Sequence, residues 1–176
     1  MERSVPVFCL VATLLAACGE RAPNTTAMGA GPSSIDCHVR AEEALRLINA
    51  ARAAGAHCGA SAMAPAPALH WDGRLQQAAF AHSADMANAN YFEHRSPDGL
   101  GVRDRVAATH YPMKGVGENI AGGDESIAEA VQAWLGSASH CENLMDPHFT
   151  DVAVACVAQP GTQWGTYWTM VLGQRR

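Results

Sequence analysis

The sequence predicts an α+β fold, a three-layer αβα sandwich around a small antiparallel sheet. Three observations predict it. Segments with helical apolar spacing outnumber extended ones. Two apolar runs, residues 152–157 and 164–172, flank the turn Gln159-Pro160-Gly161-Thr162, which is a hairpin pattern. The second run is bulky on both alternating faces, with Trp164, Trp168 and Met170 on one and Tyr167 and Val171 on the other. A strand apolar on both sides calls for cover on both sides.

The 176 residues suit one domain of ordinary size, and 48% of them are apolar, enough for a core. The formal net charge is −5, Lys114 is the single lysine, and the eleven arginines are scattered. A phosphate footprint needs clustered cations, so nucleic acid is not an expected partner.

The first element is a leader. Residues 5–17 are an apolar run behind Arg3, too short to remain as a bilayer span but of the right length for a signal peptide. It closes in Leu15-Ala16-Ala17-Cys18, which resembles a bacterial lipobox and implies cleavage before Cys18 and lipidation of that residue. Ordinary cleavage near Ala17, leaving a free Cys18, is the alternative. Gly19 replaces the Asp that holds many lipoproteins at an inner membrane, so the expected address is the cell envelope, at the outer membrane or outside the cell. Residues 19–34 are rich in Pro, Asn, Thr, Gly and Ser and read as a tether. The expected layout is signal peptide 1–17, lipidated cysteine and tether 18–35, and a domain over 36–176.

Without Cys9 and Cys18, four cysteines remain: Cys37, Cys58, Cys141 and Cys156. An even count in an exported chain suggests two disulfides with three possible pairings. Short loops favour Cys37 with Cys58 and Cys141 with Cys156. Zinc is the competing reading, but no C-x-x-C spacing supports it.

Asp36 is the expected N-cap of a first helix running through Leu45 and Ile48 to about Ala54, with Gly55 as its stop. Pro65 and Pro67 keep residues 60–69 extended. Asp72 caps a second helix over 73–90, with Leu75, Ala79, His82 and Met86 on one face. A histidine on such a face is more often a core residue than a ligand. Ser96-Pro97-Asp98-Gly99 is a turn, and a short helix follows near 102–108. Gly115-Val116-Gly117-Glu118-Asn119-Ile120-Ala121 reads as a glycine-flanked turn. A helix from Ser126 buries Ile127, Val131 and Trp134 and runs out into Ser137-Ala138-Ser139-His140-Cys141-Glu142-Asn143.

Seven short motifs occur in order. They are Leu47-Ile48-Asn49-x-x-Arg52, Leu69-x-Trp71-Asp72-x-x-Leu75, His82-x-x-Asp85-Met86-Ala87, Phe92-x-His94-x-Ser96-Pro97-Asp98-Gly99, Gly117-Glu118-Asn119-Ile120-Ala121, Trp134-x-x-Ser137-x-x-His140-x-x-Asn143 and Tyr167-Trp168-Thr169-x-Val171. With them the chain resembles the CAP superfamily (cysteine-rich secretory, antigen 5, pathogenesis-related; the SCP domain) in its bacterial form, over about residues 41–173. The resemblance implies an αβα sandwich with a cleft of two histidines and two glutamates that can hold a divalent cation. His94 matches the first histidine and Glu118 the first glutamate. Ser137 stands where the second glutamate is found elsewhere in the family, and Tyr167 where the second histidine is found. The bacterial Ser-x-x-His form offers His140 instead.

The candidate metal set is therefore His94, Glu118 and His140, with Asn119, Ser137, Asn143 and Tyr167 supporting the cleft. Two imidazoles and a carboxylate suit a zinc-like ion and leave one position for water. The competing structural reading has Glu118 accept backbone N–H groups to pin its turn, with the histidines bonded to it. The resemblance implies a lipid-anchored binding module for a protein, lipid or small-molecule ligand, with Tyr91, Phe92, Tyr111 and Trp164 available as a rim. The alternative is a metal-dependent hydrolase of peptide, ester or glycan bonds.

Overall fold

A computed structural model describes Met1 and residues 35–176. The described residues from Ile35 onward belong to one compact unit, Gly31–Arg176. The expected signal peptide, Cys18 and all of the tether before Ile35 lie outside the described residues. Among the described residues no helix is long and apolar enough to cross a membrane.

The elements are β1 (Ile35–Asp36), α1 (Ala41–Ala54), β2 (Ala56–Cys58), β3 (Ser61–Met63), β4 (His70–Trp71), α2 (Gly73–Ala89), α3 (Val102–Ala108), β5 (Met113–Gly122), α4 (Ile127–Gly136), α5 (Ala138–Met145), β6 (Asp151–Ala158) and β7 (Thr166–Arg175). The main sheet runs β1-β6-β7-β5, with β4 also on β6, and β2–β3 form a separate hairpin. Pairings are antiparallel except for β4 with β6, which is parallel.

Strand alternation sorts the core into two sides. Val152, Val154, Cys156, Trp168, Met170 and Leu172 face α1, α4 and α5. Ala153, Ala155 and Val171 face Leu75 and Ala79 of α2 and Val106 of α3. Further along, Val157 and Tyr167 meet Met86 of α2. The expected αβα sandwich is the observed architecture, and every residue of β7 from Tyr167 to Gly173 is buried.

Locally encoded elements match their expectation. Asp72 caps α2 by accepting from the Arg74 N–H at 2.8 Å. Ser126 caps α4 in a capping box with Glu129. Gly55 ends α1 at a φ of 72°, in the region that favours glycine.

Four expectations are corrected. Asp36 does not cap α1: it ends β1, its carboxylate accepts from the His38 N–H, and Arg40 occupies the cap position with no side-chain capping bond among the described residues. The glycine-flanked turn is the strand β5, whose residues Val116 to Gly122 pair in register with Gly173 to Tyr167 of β7. Glycine at 117 serves a close approach: a Cβ there would meet Asn143 Oδ1 at 2.7 Å and Phe149 Cζ at 2.9 Å. The stretch after Ser137 is a second helix, α5, packed against α4. The last strand starts at Thr166, which leaves Trp164 in the preceding loop.

The disulfides are Cys37–Cys156 and Cys58–Cys141, and the favoured short-loop pairing is overturned. Sheet register decides the first. Asp36 lies opposite Val157 in the β1–β6 pair, and the Cys37 N–H donates to the Cys156 carbonyl at 3.1 Å. Packing decides the second, because α5 lies against β2.

Arg52 shows why its motif position takes a forked cation. It is fully buried, and it donates to the carbonyls of Pro67, Leu144 and Asp146 at 2.7, 2.6 and 3.0 Å. One guanidinium thereby ties α1 to the 65–69 segment and to the end of α5.

Candidate functional site

The site lies at the free edge of β5, the last strand of the sheet path. Glu118 and Asn119 are consecutive on that strand, so they point to opposite faces. On one face, Glu118 Oε1 lies 2.9 Å from His94 Nδ1 and 3.7 Å from His82 Nε2, and Arg105 Nη2 donates to Glu118 Oε2 at 2.8 Å. On the other face, Asn119 Nδ2 donates to the His140 carbonyl at 2.9 Å. Asn143 Nδ2 donates to the Glu118 carbonyl at 3.1 Å and to Asn119 Oδ1 at 3.0 Å. The His94 and His140 rings meet edge-on with centroids 6.2 Å apart. A cleft of about 380 Å³ opens beside His94 and Glu118, lined also by Arg95, Gly101, Val102, Val116 and Gly117.

Each side chain is delivered by a distinct element. His94 sits on the segment after α2, where Ser96-Pro97-Asp98-Gly99 closes as a turn: the Gly99 N–H donates to the Ser96 carbonyl at 2.8 Å, and Gly99 has a φ of 91°. Arg95 donates back to the Gly99 carbonyl. His140 sits in α5, joined to α4 through the extended Ser137. The Glu118 side chain is only 2% exposed, and His94 is 54% exposed, so one end of the pair is dry and the other faces solvent.

The electrostatics follow from burial and neighbours. Burial alone would raise the Glu118 pKa, but the His94 hydrogen bond, the nearby His82 and the Arg105 charge together outweigh it and lower it. Burial holds the His82 pKa down, against the pull of Glu118. His82 is fully buried, and among the described residues neither ring nitrogen closes a hydrogen bond of ordinary length. The His140 pKa is also lowered, by burial first and then by His94, which favours its neutral, ligand-competent form.

His94 is thus brought onto Glu118, and the His140 ring onto the His94 ring. Asn119 and Asn143 form the bridge beneath them, from a strand and a helix rather than from turns. The competing structural reading is half met: the carboxylate is engaged, but by side chains and not by backbone N–H groups. Ser137 is half-buried between the two helices, and among the described residues its side chain makes no cap hydrogen bond. Tyr167 is in the core beside Ile120, with its hydroxyl donating to Asn90 Oδ1 at 3.2 Å. It lies opposite Gly122, four residues along the strand from Glu118. Of the aromatic rim, Tyr111 is buried and donates to Asp151. Phe92 and Trp164 pack on each other at 4.9 Å, and Tyr91 donates to Asp85.

Two residues of the site carried no functional signal in the sequence. Arg105 is one of two arginines in a short helix, and only the fold brings it to Glu118. His82 had a face assignment but no partner.

A divalent ion finds two imidazoles here, because the carboxylate is already engaged on both oxygens. Among the described residues, no group of three or more His, Cys, Asp and Glu side chains is gathered as a metal cluster. Glu118 is placed instead as the acceptor that orients the His94 ring. The donors left to an ion beside this pair are the imidazoles of His94 and His140.

The cysteine-rich secretory protein family, CAP, matches this chain over residues 45–172, and the chain belongs to that family. It is similar to the "Uncharacterized protein YkwD" of Bacillus subtilis (strain 168), at 38% identity over 54% of this chain and 37% of the relative. It is also similar to the "Uncharacterized membrane protein YlbC" of the same organism, at 36% identity over 49% of this chain and 25% of the relative. The match spans well under half of each relative's length. Among solved structures, an extracellular protein containing a SCP domain from Bacillus anthracis str. Ames matches with a TM-score of 0.55 and 31% identity, over 62% of this chain and 35% of that one. An outer surface protein of Borrelia burgdorferi matches with a TM-score of 0.60, over 81% of this chain and 99% of that one; at 16% identity it shows the shared fold alone.

Proposed function

We propose that this chain is an exported, lipid-anchored binding module of the cell envelope whose cleft takes a zinc-like divalent cation between His94 and His140. The observation that carries the cation reading is the His94–Glu118 pair. A carboxylate accepts but does not donate, so the Nδ1 that lies 2.9 Å from Glu118 carries the hydrogen, and in the neutral ring Nε2 keeps the lone pair. His140, shifted toward its neutral form, stands across from it. When bound, the ion supplies a Lewis-acidic centre with positions open to a donor atom of the protein, lipid or small molecule that the module recognises. His94 and His140 hold it, Glu118 orients His94, and Asn119 with Asn143 keep the β5 edge and α5 in register.

Export is supported by the leader, by two disulfides of the kind that persist in oxidising compartments, and by the extracellular SCP-domain protein it resembles. The lipid anchor rests on Leu15-Ala16-Ala17-Cys18. Calorimetric titration of zinc into the purified chain tests the cation reading. One ion per chain is expected, with heat abolished in His94→Ala and His140→Ala. Wild-type and variant traces that coincide would remove the site.

A further inference from the structure

The guanidinium of Arg105 reaches both halves of the His94–Glu118 pair. Its Nη2 donates to the His94 carbonyl at 3.0 Å and to Glu118 Oε2 at 2.8 Å. Its Nη1 donates to the Leu100 carbonyl at 3.1 Å and to Ser96 Oγ at 3.2 Å. One side chain therefore anchors the turn that carries His94 and, through the same nitrogen, the carboxylate that His94 meets. Arg105 is itself buried, at 8% exposure, so water competes weakly for these bonds.

We infer that Arg105 is the positioning residue of the cleft: by occupying Glu118 Oε2 and holding the His94 backbone, it directs Oε1 onto His94 Nδ1 and so selects the His94 tautomer whose Nε2 lone pair is free for a ligand. The neutral imidazole has two tautomers, and the one chosen is set by the hydrogen bond its other nitrogen makes. A carboxylate free to rotate would present either oxygen to His94 or to His82 Nε2, which is 3.7 Å from Oε1. With Oε2 taken by Arg105, Oε1 is the oxygen left for the histidines. The fork geometry matters, because a guanidinium serves two acceptors in one plane and an ammonium does not. The inference rests on reading the cleft as a cation site for its purpose, but its geometry stands without the ion.

The test is imidazole 15N NMR on the full chain labelled at histidine, without metal and above the imidazole titration range, with His94 assigned by its loss in His94→Ala. The wild type is expected to show His94 as the Nδ1–H tautomer. Arg105→Gln is expected to move His94 toward the Nε2–H form and to weaken zinc binding by about 10-fold or more. Arg105→Lys is expected to give a mixed population and to recover part of the affinity. A wild-type His94 in the Nε2–H form overturns the inference whatever the variants do. So does a folded Arg105→Gln with the wild-type tautomer; where Arg105→Gln does not fold, an unchanged tautomer in Arg105→Lys counts equally against it. A wild type that shows the expected tautomer yet binds no zinc would fail the proposed function and leave this inference standing.

Discussion

Removing the two disulfides should cost more together than the sum of removing each alone. The bonds are nested, since Cys58–Cys141 closes 83 residues inside the 119 closed by Cys37–Cys156. Treated as loop-closure entropy, the outer bond by itself contributes about 4.9 kcal/mol and the inner one about 4.5 kcal/mol. Once the inner bond exists, the outer one closes only the difference of 36 residues, and its contribution falls to about 3.8 kcal/mol. By the same cycle the inner bond contributes about 3.5 kcal/mol when the outer is present. The pair Cys37→Ala/Cys156→Ala should then lose about 3.8 kcal/mol, Cys58→Ala/Cys141→Ala about 3.5 kcal/mol, and the fourfold variant about 8.4 kcal/mol. The excess of about 1 kcal/mol over additivity is the signature of nesting. Loops closed between sequence neighbours, Cys37 with Cys58 and Cys141 with Cys156, share no chain and would give none. Urea unfolding of all four forms measures it, with the slope rising as cross-links go because the unfolded chain expands. Strictly additive losses, or alkylation of Cys37→Ala that labels Cys58 instead of Cys156, would refute the reasoning. A loss of about 8 kcal/mol is comparable to the whole stability of many domains, so the urea series is run in a constant concentration of a stabilising osmolyte that keeps a folded baseline for the fourfold variant.

Gly117→Ala should destabilise by about 1–3 kcal/mol, because the new Cβ meets both Asn143 Oδ1 and Phe149 Cζ inside 3.0 Å. Asn143 cannot swing aside without releasing the Glu118 carbonyl and Asn119, so zinc binding should weaken as well; a variant as stable as wild type in urea would contradict the strand assignment of that glycine. Acid should destabilise the fold through His82 and Glu118. The folded His82 pKa is lowered, so the unfolded chain binds the proton more readily and stability falls as pH drops below the ordinary histidine value near 6.5, by up to about 1.4 kcal/mol per pH unit for one proton. Glu118, lowered as well, contributes stability that is present above its ordinary value and lost as pH falls through its folded one. Urea melts between pH 7.5 and 5 should show the slope in wild type and a shallower one in His82→Phe; parallel slopes would place the proton uptake elsewhere.

Legibility in the sequence followed the range of the cause. Asp72 and Ser126 announce α2 and α4 because a cap needs only the next three residues. The two-faced pattern of Trp168, Met170, Tyr167 and Val171 foretold a covered strand, since alternation is a property of the chain alone. The strand β5 was hidden for the opposite reason. Its glycines at 115, 117 and 122 carry turn chemistry in isolation, and only residues distant in the chain explain the missing side chains: Gln174 at the first, Asn143 and Phe149 at the second, Trp164 and Phe92 at the third. The cysteine pairing failed likewise: loop length is local, whereas the register that sets Cys37 beside Cys156 is not. In the site, His94 and Glu118 were readable from motif context. Arg105 was not, because nothing near it in the chain distinguishes a buried guanidinium from a solvated one.

The correction at β5 changes what the Glu118-Asn119 pair means. In a turn, two adjacent polar side chains have no fixed relation. In a strand, the pleat sends them to opposite layers, and here each meets a different histidine: Glu118 takes the His94 ring, and Asn119 takes the His140 backbone. His94 arrives with the α2–α3 layer and His140 with the α4–α5 layer, so the edge of β5 is where the two outer layers of the sandwich can approach each other. An edge strand is the part of a sheet that most needs cover, and here the cover is the site itself. This explains why Asn143 bonds to the strand's carbonyl at Glu118 rather than to a partner within α5. It also separates the roles of the two residues. Changes at Glu118 should act on the His94 side chain and its tautomer, whereas changes at Asn119 should act on where α5 sits, and hence on how far apart the rings stand.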